Sequence, residues 1–117
     1  MERVFQQSYH IPGTLSANIT ITFAAPFDMQ LVHVSAVANN DSDATLKIGN
    51  SSDDDAYLLA AAIGDSGTPV EKSRVNFIGG QYPHIADGTV VVATLDYDGD
   101  SGTAAQNVTI VLTFTEG

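Results

Sequence analysis

The stretch Asn107-Val108-Thr109-Ile110-Val111-Leu112-Thr113-Phe114-Thr115 alternates strictly between two kinds of side chain. Val108, Ile110, Leu112 and Phe114 fall on one face of an extended chain. Thr109, Val111, Thr113 and Thr115 fall on the other. A period of two with one apolar face predicts a half-buried antiparallel strand. Threonine suits the outer face, because its branched Cβ fits the pleat while its hydroxyl meets water. Asn18-Ile19-Thr20-Ile21-Thr22-Phe23 repeats the pattern with Ile19, Ile21 and Phe23 on the apolar side.

Weaker strands fill the space between. Residues 3–10 carry Phe5 and Tyr9, residues 29–38 run from Met29 to Ala38, and residues 43–48 place Ala44, Leu46 and Ile48 on one face. Residues 72–78 hold Val75 and Phe77, and residues 89–95 are apolar on both faces, as in a central strand. Turn residues punctuate the runs at Pro12-Gly13, Asn39-Asn40-Asp41, Gly64-Asp65-Ser66-Gly67, Gly79-Gly80, Asp87-Gly88 and Asp98-Gly99. Strands at this spacing predict an all-β fold, a β-sandwich or jelly-roll-like pair of antiparallel sheets. At most one short helix is expected, near 53–63, where Ser52 or Asp53 caps and Gly64 stops it; Tyr57-Leu58-Leu59 equally begins a strand. The expected core is Ile19, Ile21, Phe23, Leu46, Ile48, Val75, Phe77, Leu95, Val108, Ile110, Leu112 and Phe114.

The chain has 117 residues, so residues 1–117 form a single domain. Fourteen acids against four Lys and Arg give a formal net charge of -10. That balance argues against nucleic acid and against an anionic membrane surface, both of which demand clustered cations. No run is long and apolar enough to span a bilayer. Polar residues follow Val4-Phe5 too soon for a signal peptide, so synthesis in a cytoplasm is expected. There is no cysteine, which excludes disulfides, thiolate metal sites and a cysteine nucleophile.

Few residues suggest chemistry. Gly64-Asp65-Ser66-Gly67-Thr68 recurs as Gly99-Asp100-Ser101-Gly102-Thr103, a string also found around serine-protease nucleophiles. A triad needs a histidine base and a buried aspartate held by a larger scaffold, and two tight turns account for the echo. His10, His33 and His84 show no ligand spacing. Asp96, Asp98 and Asp100 resemble the first half of a calcium loop, but the glycine comes one residue late and Asn107 stands where a bidentate glutamate belongs. They remain weak calcium candidates beside an acidic hairpin turn; no metal or other cofactor is expected. Asp53-Asp54-Asp55 reads as a helix N-terminus or solvated loop. No phosphate-binding loop and no tryptophan sugar platform is present, so the chain is read as not an enzyme.

Three stretches resemble a known family: Phe23-Ala24-Ala25-Pro26-Phe27-Asp28-Met29-Gln30-Leu31-Val32-His33-Val34-Ser35-Ala36, Asp43-Ala44-Thr45-Leu46-Lys47-Ile48-Gly49, and Ser101-Gly102-Thr103-Ala104-Ala105-Gln106-Asn107-Val108-Thr109-Ile110. In these the chain is similar to head decoration (cement) proteins of tailed bacteriophages, over roughly residues 17–115. The resemblance implies a non-enzymatic virion protein on the capsid exterior, a homotrimer or other cyclic homo-oligomer bound to the major capsid protein lattice. It carries no catalytic residue. The other reading is a carbohydrate- or receptor-binding sandwich of a tail or fibre, using Tyr57, Tyr82, Tyr97 and the 96–102 aspartates.

Residues 1–12 are the expected contact segment. They hold one acid and one base, and they carry Val4, Phe5, Tyr9 and Ile11, a dense apolar load for a terminus. A neutral apolar arm approaches a neighbour without the repulsion the aspartate loops meet. Alternatively residues 3–10 are the first strand of the chain's own sandwich.

Overall fold

The computed structural model describes residues 3–117. Nine strands follow one another: β1 (Val4–Thr14), β2 (Ile19–Ala24), β3 (Met29–Val37), β4 (Thr45–Asn50), β5 (Leu58–Ala62), β6 (Val70–Lys72), β7 (His84–Ile85), β8 (Val90–Asp96) and β9 (Gln106–Glu116). They form two sheets. One runs β1-β9-β3-β6, with β7 also paired to β3; the other runs β2-β8-β4-β5. Every strand pair is antiparallel. Successive strands repeatedly change sheet, as in jelly-roll-like sandwiches. The expected all-β sandwich is the fold.

The alternation in β9 does what its sequence requires. Val108, Ile110, Leu112 and Phe114 are fully buried between the sheets, while the threonines face outward beside the strands on either side. Opposite them lie Val91, Ala93 and Leu95 of β8 and Leu46 and Ile48 of β4, all buried. β8 is central in its sheet, between β2 and β4.

β3 explains why its faces are hard to read from sequence. Met29 and Leu31 point inward, and then so do Val34 and Ala36, because a bulge between Leu31 and His33 inserts one residue against β9. A one-residue insertion exchanges the two faces of everything beyond it.

The structure decides one open alternative and corrects one expectation. No helix forms at 53–63. The side-chain oxygen of Asn50 accepts from the backbone N–H groups of Ser52 and Asp53, which bends the chain into a turn, and Tyr57 N–H then donates to Ile48 O at 3.0 Å. β5 therefore starts at Leu58, since Tyr57 and Leu58 are buried only when the segment lies along β4. Residues 72–78 are not one strand either. β6 ends at Lys72, and two short 3₁₀ turns follow, Arg74–Asn76 and Ile78–Gly80. Phe77 is buried as expected, but Val75, placed in the core by its alternation with Phe77, is 74% exposed. A 3₁₀ turn repeats every three residues, so neighbours two apart no longer share a face. Ile19, Ile21 and Phe23 do face the core but stay half-buried, because β2 is an edge strand.

Gly64 shows how tightly the sandwich is closed where β5 leaves for β6. Its N–H donates to Ala36 O at 3.0 Å and its carbonyl accepts from Ala38 N–H at 2.8 Å. A Cβ built here would collide with the Thr68 carbonyl oxygen and lie 2.8 Å from Val70 N. Gly64→Ala is therefore expected to cost about 1–3 kcal/mol in chemical denaturation, since only backbone can yield.

Candidate interaction surfaces

Edge strands β1 and β2 lie on the same side of the sandwich, one from each sheet. β1 is the first strand of this chain's own sheet, in register with β9 from Val4 opposite Thr115 to Ile11 opposite Val108. Met1 and Glu2 of the expected contact segment lie outside the described residues. Phe5, Tyr9 and Ile11 share the inward face and are half-buried, whereas Val4 lies on the outer face and is exposed. The structure thus brings three of the four expected contact residues together and sets Val4 apart from them.

Phe5 is the pivot of this side. Its ring centroid is 5.8 Å from both Phe23 and Phe114 and 6.2 Å from Phe27, in tilted or edge-on geometries. The guanidinium of Arg3 stands over Phe27 at 4.0 Å. Arg3 Nε also donates to Glu116 Oε2 at 3.0 Å, which ties the start of β1 to the end of β9. That hydrogen bond is the main reason the Glu116 carboxyl sits below its usual range. A depressed carboxylate stabilises the fold above its unfolded pKa, and the contribution is lost as pH falls through the lower, folded value. Glu116→Gln should therefore flatten the acid limb of the stability curve below about pH 4, and thermal melts across pH 2–6 check this. Tyr9 is raised by burial alone; its hydroxyl donates to Gln7 Oε1 at 3.1 Å. From Val4 to Phe27 there is no Asp, Glu, Lys or Arg, so β1 and β2 themselves are uncharged, while Asp28, Asp87 and Glu116 surround Arg3 at one end of this side.

A larger group of carboxylates gathers elsewhere. The β3–β4, β5–β6 and β8–β9 connections meet at one end of the sandwich. Ser42 N–H donates to Asp65 Oδ1 at 3.1 Å, Thr103 N–H to Asp43 Oδ2 at 2.7 Å, and Asn40 Nδ2 to Ala104 O at 2.9 Å. Asp96, Asp98 and Asp100 belong to this end. Asp96 Oδ1 accepts from Asp98 N–H, and Asp98 Oδ1 accepts from Ser101 Oγ, with Asp98 in the left-handed region at φ 43°. These oxygens satisfy the turn that carries them. Asp53, Asp54 and Asp55 lie close together in the β4–β5 turn, where Lys47 pairs with Asp54 at 3.0 Å. A hydrogen bond with Asp53 is the leading cause of the raised Asp55 pKa, followed by burial and the charges of Asp53 and Asp54.

Other candidates disperse. Tyr57 is buried, Tyr82 is exposed on the β6–β7 loop, and Tyr97 is half-buried at the acidic end. His10 Nδ1 meets Thr109 Oγ1 across the strand pair, His33 pairs with Glu71 at 3.1 Å, and His84 begins β7. Among the described residues no polar or charged side chain is buried. None of their helices is long and apolar enough to cross a membrane.

No family model matches the chain, and no curated protein matches its sequence. Its architecture does have counterparts. A chain of the cyanophage Pam1 capsid asymmetric unit superposes with a TM-score of 0.59 at 17% identity, covering 99% of this chain and 85% of that one. The fold is one found in a phage capsid. A chain of the capsid of Helicobacter pylori bacteriophage KHP30 aligns over 98% of this chain and 91% of its own length, at 16% identity and a TM-score of 0.46.

Proposed function

We propose that this chain is a non-enzymatic structural protein of a tailed-phage virion, a head decoration protein bound to the outer surface of the major capsid protein lattice. The observation that carries this reading is the likeness along nearly the whole chain to a chain of the Pam1 capsid. Physical chemistry supports the exterior position. Packaged DNA repels a surface of net charge -10, whereas the outside of a shell does not. Decoration also suits a cyclic homo-oligomer, a trimer in this reading, because several weak contacts to a symmetric lattice add up to firm attachment. The uncharged strands β1 and β2, with Phe5, Tyr9 and Ile11, are the surface offered to the shell.

Purified chain mixed with shells assembled from the major capsid protein of its own phage is expected to co-sediment saturably, at a fixed ratio of copies per lattice site. Electron microscopy should then show added density outside the shell. Failure to co-sediment, or density inside, overturns the proposal. Binding to glycans on an array, abolished by chelator, would instead support a receptor-binding module. We propose further that the 96–102 loop needs no metal. Chelator is expected to leave the melting temperature unchanged, since any ion bound only to the native state must raise it.

A further inference from the structure

The segment Lys72-Ser73-Arg74-Val75-Asn76-Phe77-Ile78-Gly79-Gly80-Gln81-Tyr82-Pro83-His84-Ile85-Ala86 departs from the rest of the chain in both charge and exposure. It contains two of the four Lys and Arg residues and none of the fourteen acids. Arg3 and Lys47 pair with Glu116 and Asp54, whereas Lys72 and Arg74 form no ion pair among the described residues. Three large apolar side chains of the same segment stand out into solvent: Val75 at 74%, Ile78 at 42% and Tyr82 at 42% exposure.

This is not a slack loop. Ser73 N–H donates to Asn76 Oδ1 at 3.0 Å, and Asn76 N–H returns to Ser73 O at 2.9 Å. Phe77 anchors the middle in the core. Gly79 and Gly80 turn the chain at φ 77° and 66°, values that favour glycine. Ile78 N–H reaches Tyr57 O at 3.0 Å, and Leu31 N–H reaches Pro83 O at 3.1 Å, so the segment is fastened to both sheets. Apolar side chains held by such backbone bonds, in a segment that also carries cations, have the composition of a contact surface, because little conformational entropy remains to be lost when a partner covers them.

We propose that this segment docks on the acidic end of a second copy of the same chain. Charge decides the occupant. Outside the segment the chain holds all fourteen carboxylates and only two cations. The β3–β4, β5–β6 and β8–β9 connections place Asp41, Asp43, Asp65, Asp98 and Asp100 at one end of the sandwich, where Asp96 ends β8, and no Lys or Arg lies in those connections. A second copy therefore presents a surface complementary to Lys72 and Arg74, whereas most other faces of two such chains repel each other. The two surfaces differ, so the contact is heterologous, the kind that closes into a ring when the rotation permits. This deepens the cyclic homo-oligomer of the proposed function by naming its contact, and it requires no shell.

The test uses the purified full chain in dilute and in 0.5 M salt. Light scattering should show association that weakens with salt. Zero-length carbodiimide coupling, read by mass spectrometry, should join Lys72 of one copy to an aspartate of the acidic end of another. Arg74→Glu and Val75→Ser change exposed side chains, so their melting temperatures should match the parent while association weakens about tenfold or more. A chain that stays monomeric at about 100 μM in low salt overturns the proposal, as does association unaffected by both variants. Lys72 coupled to the shell protein in decorated particles, and not to a second copy, also overturns it, while leaving the decoration role intact. Association through this contact with no binding to shells would sustain it and remove the decoration role.

Discussion

Phe114→Ala is expected to lower the free energy of unfolding by about 3–5 kcal/mol, read from urea denaturation at constant m-value. Phe114 is fully buried at the β9 position opposite Phe5, and its ring centroid stands 5.8 Å from those of Phe5 and Phe23. Removing the ring takes away one member of an aromatic group drawn from both sheets. Backbone pairing holds β9 on both sides, so the cavity has little means of collapsing. In a domain whose total stability is of order 5–15 kcal/mol, the variant stands near the threshold of folding. A loss below about 1 kcal/mol would mean that Phe114 does not occupy the core face of β9, because a register slip of one residue exchanges the faces.

Deleting residues 1–10 is expected to abolish cooperative folding. The deletion strips most of β1 from β9, exposing backbone groups that now pair from Val4 to His10, and it removes Phe5 from the core margin and the half-buried Tyr9 from the same face. Each large apolar side chain contributes roughly 1.5–3 kcal/mol when fully buried, and these half-buried ones somewhat less. The newly bare edge of β9 also invites pairing with other chains. Circular dichroism should show no sharp thermal transition, and the truncated chain should aggregate or be recovered only from inclusion bodies. A truncated chain that melts cooperatively near the parent temperature would show that β1 is dispensable to the sandwich and free to act as an arm.

The interior of β9 and β4 was legible because the apolar residues of each strand keep a single phase, whereas β8, read as apolar on both faces, buries only Val91, Ala93 and Leu95. Val108 to Phe114 and Leu46 to Ile48 alternate without interruption, and burial follows the alternation. The acidic surface and the turns were equally legible, since they depend on local composition. The all-β class follows from those two facts, because a period of two cannot bury one face of a helix.

Tertiary structure decided the rest. The bulge in β3 arises where its backbone is matched against β9, so neither face of residues 29–37 is predictable from β3 alone. Tyr57 and Leu58 leave a sequence suited to a helix because pairing with β4 buries them, which outweighs the weak helical preference of three aspartates. Val75 alternates with Phe77 as core residues do, yet two 3₁₀ turns turn it outward; only the fastening of Ile78 to Tyr57 and of Leu31 to Pro83 determines which of the two is buried. The surfaces proposed for contact share that origin. Composition marks residues 1–12 as neutral and 72–86 as basic, but only the packing of the two sheets leaves Phe5, Tyr9 and Ile11 half-covered and gathers six distant aspartates at one end. Alternation is a property of neighbours in sequence, whereas exposure depends on which strands end up at an edge, and that is settled by contacts between residues far apart in the chain.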